Sequence, residues 1–261
     1  MSHGELTVPL PTLADYVAFH RKRLKLTRAA LGGRAHLAAR TIQKLETGEQ
    51  LSLTESSLNS LARALDLNHE DQRRHLDELT RVHKPRPWLP TELRFDATAD
   101  ERAMLDDLMP QPAAYCNESW TVVAANAAYR ELFPGRVEAG NILLWQFSAI
   151  GRKTIVNWDT EVTGTVSRMR GILAHFGNPA LGAVLLNELA KDPDFVEIWM
   201  RREVGFDRAV DEPQHIYTAT GPVTVIMQLQ SVAARLDRLH LCVGVVRPYS
   251  GPVELIKPQA D

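Results

Sequence analysis

Cysteine is scarce in this 261-residue chain: Cys116 and Cys242 are the only two. Two thiols so far apart make neither a metal-binding pattern nor a disulfide framework, and both are expected to be reduced. Long apolar runs are missing as well. Ile142 to Leu144 followed by Trp145 is typical of the longest, far short of the roughly 20 residues that a membrane-spanning helix requires. The first residues, Met1 to Glu5, carry no basic stretch leading into an apolar one, so no secretory signal is read and the expectation is a cytoplasmic protein with no membrane partner. The nine histidines are scattered without ligand spacing, which gives neither zinc nor haem any support. A Gly-rich phosphate loop, an HExxH or GxSxG motif and a nucleophile paired with a base are all absent. The reading is therefore not an enzyme, with no catalytic residue, no metal and no cofactor.

What is present is ordinary in bulk and uneven in distribution. Hydrophobic residues make up 44% and charged residues 24%, the profile of a globular protein of one or two domains. The near-neutral balance of 30 basic and 32 acidic side chains conceals a basic stretch from His20 to Lys44, with Arg21, Lys22, Arg23, Lys25, Arg28, Arg34, Arg40 and Lys44 and no acid among them. Such a run is either a solvated face or a surface for a polyanion. All five tryptophans (Trp88, Trp120, Trp145, Trp158, Trp199) lie beyond residue 84, which puts the larger aromatic core in the C-terminal part. Between the parts, Pro85, Pro87 and Pro90 interrupt any helix because each lacks an amide donor. This division predicts a domain over 1–84, a Pro-rich linker over 85–97, a second domain over 98–250 and a tail over 251–261.

Periodicity gives the two domains different characters. Upstream, Leu13, Val17 and Leu24, then Leu58, Leu61, Ala62 and Leu65, then His75, Leu76, Leu79 and Val82 recur at helical spacing, and nothing reads as a strand. Downstream, Thr98 and Glu101 form a capping box for a helix running to Met109. Ala113 to Cys116 and Trp120 to Ala125 flank Asn117 to Ser119 as a hairpin, followed by a helix from Asn126 to Phe133. In the helical middle, Val162, Val166, Met169, Leu173 and Phe176 mark one face, and Asp192 with Pro193 opens a further helix. After Gly205 the period becomes two: Val223, Val225, Met227 and Leu229, then Leu239, Leu241, Val243 and Val245, predict strands with one buried face. The second domain is thus expected to be α+β with an antiparallel sheet.

Residues 26–48, LTRAALGGRAHLAARTIQKLETG, resemble without a gap the helix-turn-helix of the lambda repressor and Cro type. Thr27 stands at the cap of the second helix, Leu31 and Ala35 at core positions, Leu37 in the turn, and Ile42 and Leu45 at the anchors of the third. Two positions depart: His36 replaces the usual turn Gly, calling for a positive φ, and Ala38 replaces the usual Ser cap. The resemblance implies an all-α lambda-repressor-like domain that binds double-stranded DNA. The reading side chains would then be Ala39, Arg40, Gln43 and Lys44, with Gln43 suited to adenine and Arg40 or Lys44 to guanine, while Arg28 and Arg34 would hold phosphates. A dimer on an inverted-repeat operator follows from that geometry.

The likeness extends further. Residues 58–67 with 69–79 resemble the "LDALARALRL" and "ERAHLFRLA" stretches of actinobacterial MmyB-like regulators. Residues 112–133 resemble that family's "PAYVLNRRWDVLAWNRAA…LF", Asn141 to Leu144 its "NLL", residues 157–161 its "DWEE", and Pro193 to Val204 its "SPEFRRLWARHDV". This implies a multidomain chain: a helix-turn-helix domain joined to a PAS-like ligand-binding domain, a small apolar ligand such as a fatty acid, and a homodimer. Tyr115, Trp120, Trp145, Trp158, Met169 and Met227 are the candidate ligand-lining residues, set against the alternative that each is simply core. In a PAS sheet the first and last strands are neighbours, which would bring Cys116 near Cys242 and leave a redox role open. Two other readings stand beside the sensor: a C-terminal domain that only dimerises, and a PAS-type haem or enzyme module.

Overall fold

The computed structural model describes residues 8–49, 53–81, 96–117, 119–176, 179–206, 212–231 and 239–256. The Pro-rich stretch at 85–90 lies outside these residues. The chain divides into two compact units, one formed by Met1–Pro87, Ser167–Ala190 and Val196–Phe206, the other by Trp88–Val166, Lys191–Phe195 and Asp207–Asp261.

The helical unit is built on α1 (Leu13–Arg23), α2 (Arg28–Ala35), α3 (Ala39–Glu46), α4 (Glu55–Ala64) and α5 (Glu70–Arg81). Threonine hydroxyls open three of them: Thr12, Thr27 and Thr54 accept from the backbone N–H groups of Asp15, Ala30 and Ser57, satisfying donors that a helix start leaves unpaired. Leu31, Ala35, Ile42, Leu45, Leu61, Leu65 and Leu76 close one aliphatic core, which Ala174 also joins. That last residue belongs to α10 (Trp158–Phe176), and the unit further contains α11 (Pro179–Leu189) and the last turns of α12 (Pro193–Met200). Here Arg202 forks onto Asp15 through two bonds of 2.9 and 2.8 Å, and the Trp199 indole donates to the Pro9 carbonyl at 3.0 Å. Gly171 of α10 lets the chain at Gly205 pass directly over the helix, because a Cβ there would collide with the Gly205 carbonyl.

The other unit carries a five-stranded antiparallel sheet in the order β2-β1-β5-β4-β3. Its strands are β1 (Ala113–Asn117), β2 (Val122–Ala125), β3 (Gln214–Thr218), β4 (Gly221–Ser231) and β5 (Leu239–Pro248). The first and last strands are indeed neighbours, with Ala114 opposite Cys242 and Cys116 opposite His240. The expected capping box is formed in full at the start of α6 (Ala99–Asp107), which stops two residues before Met109. Asn126 caps α7 (Ala127–Leu132), and two short helices, α8 (Ile142–Gln146) and α9 (Ala149–Thr154), follow. Asp192 opens α12 by accepting from Asp194 and Phe195.

One expectation needs correction. Strands β4 and β5 were expected to bury a single face, yet β4 buries both Thr224 and Val225 and β5 both Leu239 and Cys242; all five residues of β1 are buried too. The reason is a second apolar cluster of Ala97, Leu105, Ala113, Tyr115, Ala124 and Leu239 on the far side of the sheet. Its counterpart holds Ala114, Cys116, Tyr129, Phe133, Trp145, Val225 and Cys242. Central strands covered on both sides lose the alternation that marks an exposed sheet face.

Candidate DNA-reading helix and sensor core

The turn between α2 and α3 is held by backbone alone. His36 adopts φ 54 and ψ 38, the left-handed conformation expected of it, and Leu37 N–H donates to the Gly32 carbonyl at 2.8 Å. A Cβ on Gly32 would lie 2.6 Å from the Leu37 carbonyl oxygen, so the turn closes only over glycine. Ala38 takes the extended cap conformation but offers no side-chain bond. With Ile42 and Leu45 buried beneath it, α3 turns Ala39, Arg40 and Gln43 outward, all exposed, and Lys44 partly so.

Charge around this helix is arranged on one carboxylate. Glu46, 2% exposed in its side chain, receives Arg21 at 2.5 Å and Arg28 at 2.8 Å. Burial alone would push the carboxyl's pKa up and disfavour its charge, but the hydrogen bonds and positive charges of Arg21 and Arg28 outweigh burial and hold it below its usual range. Arg28 therefore serves as an ion-pair partner while its side chain stays 48% exposed. Lys44 meets Glu49 at 3.2 Å, and Arg34 is exposed. Arg34, Arg40 and Gln43 thus stand on the outer surface of the motif, while Arg28 and Lys44 each lean on an acid at its edge. The motif's spacing gives no sign of the Glu46 centre, because its partners Arg21 and Arg28 lie 25 and 18 positions away in the chain.

The same unit holds two buried, uncharged histidines. His20 of α1 packs edge-on against Tyr16 at 4.4 Å, and His75 of α5 meets the same ring at 4.8 Å. Burial, with Arg23 and Arg202 adding repulsion, brings His20 down to about 4. Burial, with Arg170 and His20, brings His75 down to about 3.

The six proposed ligand-lining residues do not gather at one place. Trp145 is buried in the cluster on one side of the sheet, with Trp158 and Met227 packed against it. Tyr115 faces the opposite side. Trp120 lies not in a strand but in the preceding turn, at φ 62, and Met169 is buried in the part of α10 that belongs to the helical unit. The Trp145 side contains a residue that no sequence pattern marked: Arg136, 3% exposed. Its guanidinium lies 3.9 Å from the Phe133 ring centre and 4.1 Å from that of Trp145. Beside the Trp158 ring, Arg152 stacks at 4.1 Å and holds Asp192 and Asp194 at 2.7 and 2.6 Å. Among the described residues no three His, Cys, Asp or Glu side chains gather as a metal site, and no helix is long and apolar enough to cross a membrane.

Comparison with known families finds two domains, and the ligand-binding match contains Ser167–Ala190 and Val196–Phe206, which packing assigns to the helical unit. Residues 98–252 match the MmyB-like transcription regulator ligand binding domain, and residues 12–76 match a helix-turn-helix domain. No curated protein matches the chain.

Proposed function

Since the chain belongs to the MmyB-like transcription regulators, a DNA-binding helix-turn-helix joined to a ligand-binding domain, we propose that it senses a small apolar, fatty-acid-like molecule and converts its binding into a change in operator affinity. The observation that carries the DNA half is the outward display of Arg40 and Gln43 on a helix pinned from below by Ile42 and Leu45. Side chains near the start of such a helix reach base edges, and flanking cations such as Arg34 and Arg28 clamp phosphates. Because a single helix-turn-helix buries little surface, the working form is a homodimer on an inverted repeat, with half-site centres about 10 bp or a multiple apart. Ligand binding on the Trp145 side of the sheet is transmitted through α10 and α12, each of which begins in the sheet-bearing unit and ends in the helical one. A ligand shifts such an equilibrium only by its unequal affinity for the two states, typically about 1 to 3 kcal/mol.

Binding of the Gln43→Ala variant to operator and random DNA tests the reading role. The substitution is expected to cost about 1 to 3 kcal/mol on the operator and little on random sequence, whereas Arg34→Ala weakens both and lowers the salt slope by roughly one phosphate contact. Equal losses for Gln43→Ala on both DNAs would sink the assignment. For the sensor half, mass spectrometry of the extracted ligand followed by operator titration with and without it is decisive: a bound ligand that leaves operator affinity unchanged refutes sensing.

A further inference from the structure

Three arginines of this chain can be compared atom by atom. Arg21 places Nε and Nη2 on the two oxygens of Glu46, at 2.5 and 3.1 Å. Arg202 places the same two atoms on the two oxygens of Asp15. These nitrogens point their hydrogens in parallel from one edge of the guanidinium, which is the fork that fits a carboxylate. Arg136 has the same edge, and there Nε and Nη2 are both buried without any hydrogen-bond partner. Only Nη1 is engaged, with the Tyr129 hydroxyl at 3.3 Å.

The guanidinium carbon lies 3.9 Å from the Phe133 ring centre and 4.1 Å from that of Trp145, and those two rings stand perpendicular with centres 5.9 Å apart, so they meet the cation from adjacent sides and offer it π-faces but no charged acceptor. No ion pair reaches Arg136 among the described residues. Burial pushes the Tyr129 phenol well up, and the hydrogen bond with Cys242, followed by burial, pushes the Cys116 thiol up, so both neighbours stay neutral. A buried cation whose carboxylate-shaped edge has no hydrogen-bond partner is costly to keep, and a planar anion reaching that edge removes the cost.

We propose that Arg136 is the anchor for the carboxylate of the regulatory ligand, gripped by Nε and Nη2 with the Tyr129 hydroxyl alongside and the ligand's apolar body among Phe133, Trp145 and their neighbours. This rests on the sensor reading above and narrows it to a carboxylic acid, excluding neutral molecules of the same shape. The full-length protein is titrated with dodecanoate, its methyl ester and dodecanol, following tryptophan fluorescence and calorimetry, in the parent, Arg136→Met and Arg136→Lys. Dodecanoate is expected to bind the parent most tightly, and both variants to lose roughly ten- to a hundredfold for the acid with little change for ester and alcohol. Ligand-free Arg136→Met is expected to melt above the parent, as a purely structural cation would not allow; if it fails to fold, Arg136→Lys carries the test, since it keeps the charge and loses the fork. Acid, ester and alcohol binding the parent equally well overturns the anchor and leaves the apolar sensor standing. If none of the three binds, benzoate and inorganic phosphate decide: Arg136-dependent binding of benzoate keeps the carboxylate anchor while the fatty-acid-like reading falls, and binding of phosphate alone or of neither overturns it.

Discussion

Each compact unit buries an arginine, and the two arginines are provided for differently. In the helical unit Arg170, 4% exposed, donates to the Trp199 carbonyl and lies over the Trp199 ring, while the imidazoles of His20 and His75, which burial keeps neutral, pack against Tyr16. The sheet-bearing unit buries Arg136, 3% exposed, and Asn126, a fully engaged amide. Asn126 accepts from the Ala113 and Tyr129 backbone N–H groups at 3.0 Å and donates to the Leu105 and Gln111 carbonyls at 2.9 Å. The contrast is between a buried guanidinium that reaches a backbone carbonyl, Arg170, and one whose Nε and Nη2 reach no hydrogen-bond partner, Arg136.

The sharpest way to break this comparison is acid. His20 and His75 have folded-state values of about 4 and 3 against an ordinary 6.5, so the unfolded chain takes up protons first. Their contribution to stability is complete above about pH 6.5 and is lost as pH falls from there toward the folded values, at a slope of up to two protons. Between pH 7 and pH 5 this amounts to something on the order of 4 kcal/mol. Urea unfolding as a function of pH measures it, and His75→Phe is expected to remove about one proton from the slope. An unchanged slope in that variant would show that His75 is charged in the folded state.

Next in size is Asn126→Asp, which keeps the shape, deletes both donations and buries a charge. A loss on the order of 3 kcal/mol is expected, as the Gln111 carbonyl loses its donor, the Leu105 carbonyl keeps only Leu108 N–H and a carboxylate is buried, read from the unfolding transition that tryptophan fluorescence reports. A cost below about 1 kcal/mol would mean that water replaces the amide and that the hub is not closed.

The smallest effects sharpen the comparison from the other side, since the helix-turn-helix is held by a strained turn and an uncapped helix. His36→Gly relieves the left-handed backbone and Ala38→Ser supplies the missing cap of α3. Each is expected to stabilise by about 0.5 to 1 kcal/mol, seen as a raised melting temperature with the DNA-contacting side chains untouched. If neither raises it, the turn is already relaxed by contacts other than its own backbone.

Much of this architecture is legible in the chain because its signals are local. A Thr three residues ahead of a Glu caps α6 through atoms a single turn apart, Asp192 beside Pro193 opens α12, and His36 at the turn adopts the positive φ its position requires. Strands β4 and β5 form and pair, but their register sets Val225 opposite Val246 and Leu229 opposite Cys242, so the two apolar sets read from the alternation fall on opposite faces of the sheet. What stays hidden is partnership across distance. Periodicity places Tyr115 and Cys116 on opposite faces of a strand but does not tell which face will be covered, and both are. Nothing around Arg136, which follows Pro134 and Gly135 in a turn, distinguishes it from the exposed arginines of other loops. Its burial comes from Phe133 and Trp145 closing over it, and Trp145 is fixed there by its own bond to the Pro134 carbonyl at 2.8 Å.

The helical unit takes Ser167–Ala190 and Val196–Phe206 into its own packing, so the gene segment encoding the DNA-binding motif is not a portable cassette. A chimera that grafts residues 1–87 onto a foreign receiver would arrive without Ala174 in its core, without Arg202 opposite Asp15 and without Trp199 on the Pro9 carbonyl. Recombination during evolution faces the same arithmetic. A sensor can be exchanged here only together with the stretches of α10 and α12 that complete the helices reading the operator, which ties the inheritance of specificity for a signal to the inheritance of specificity for a gene.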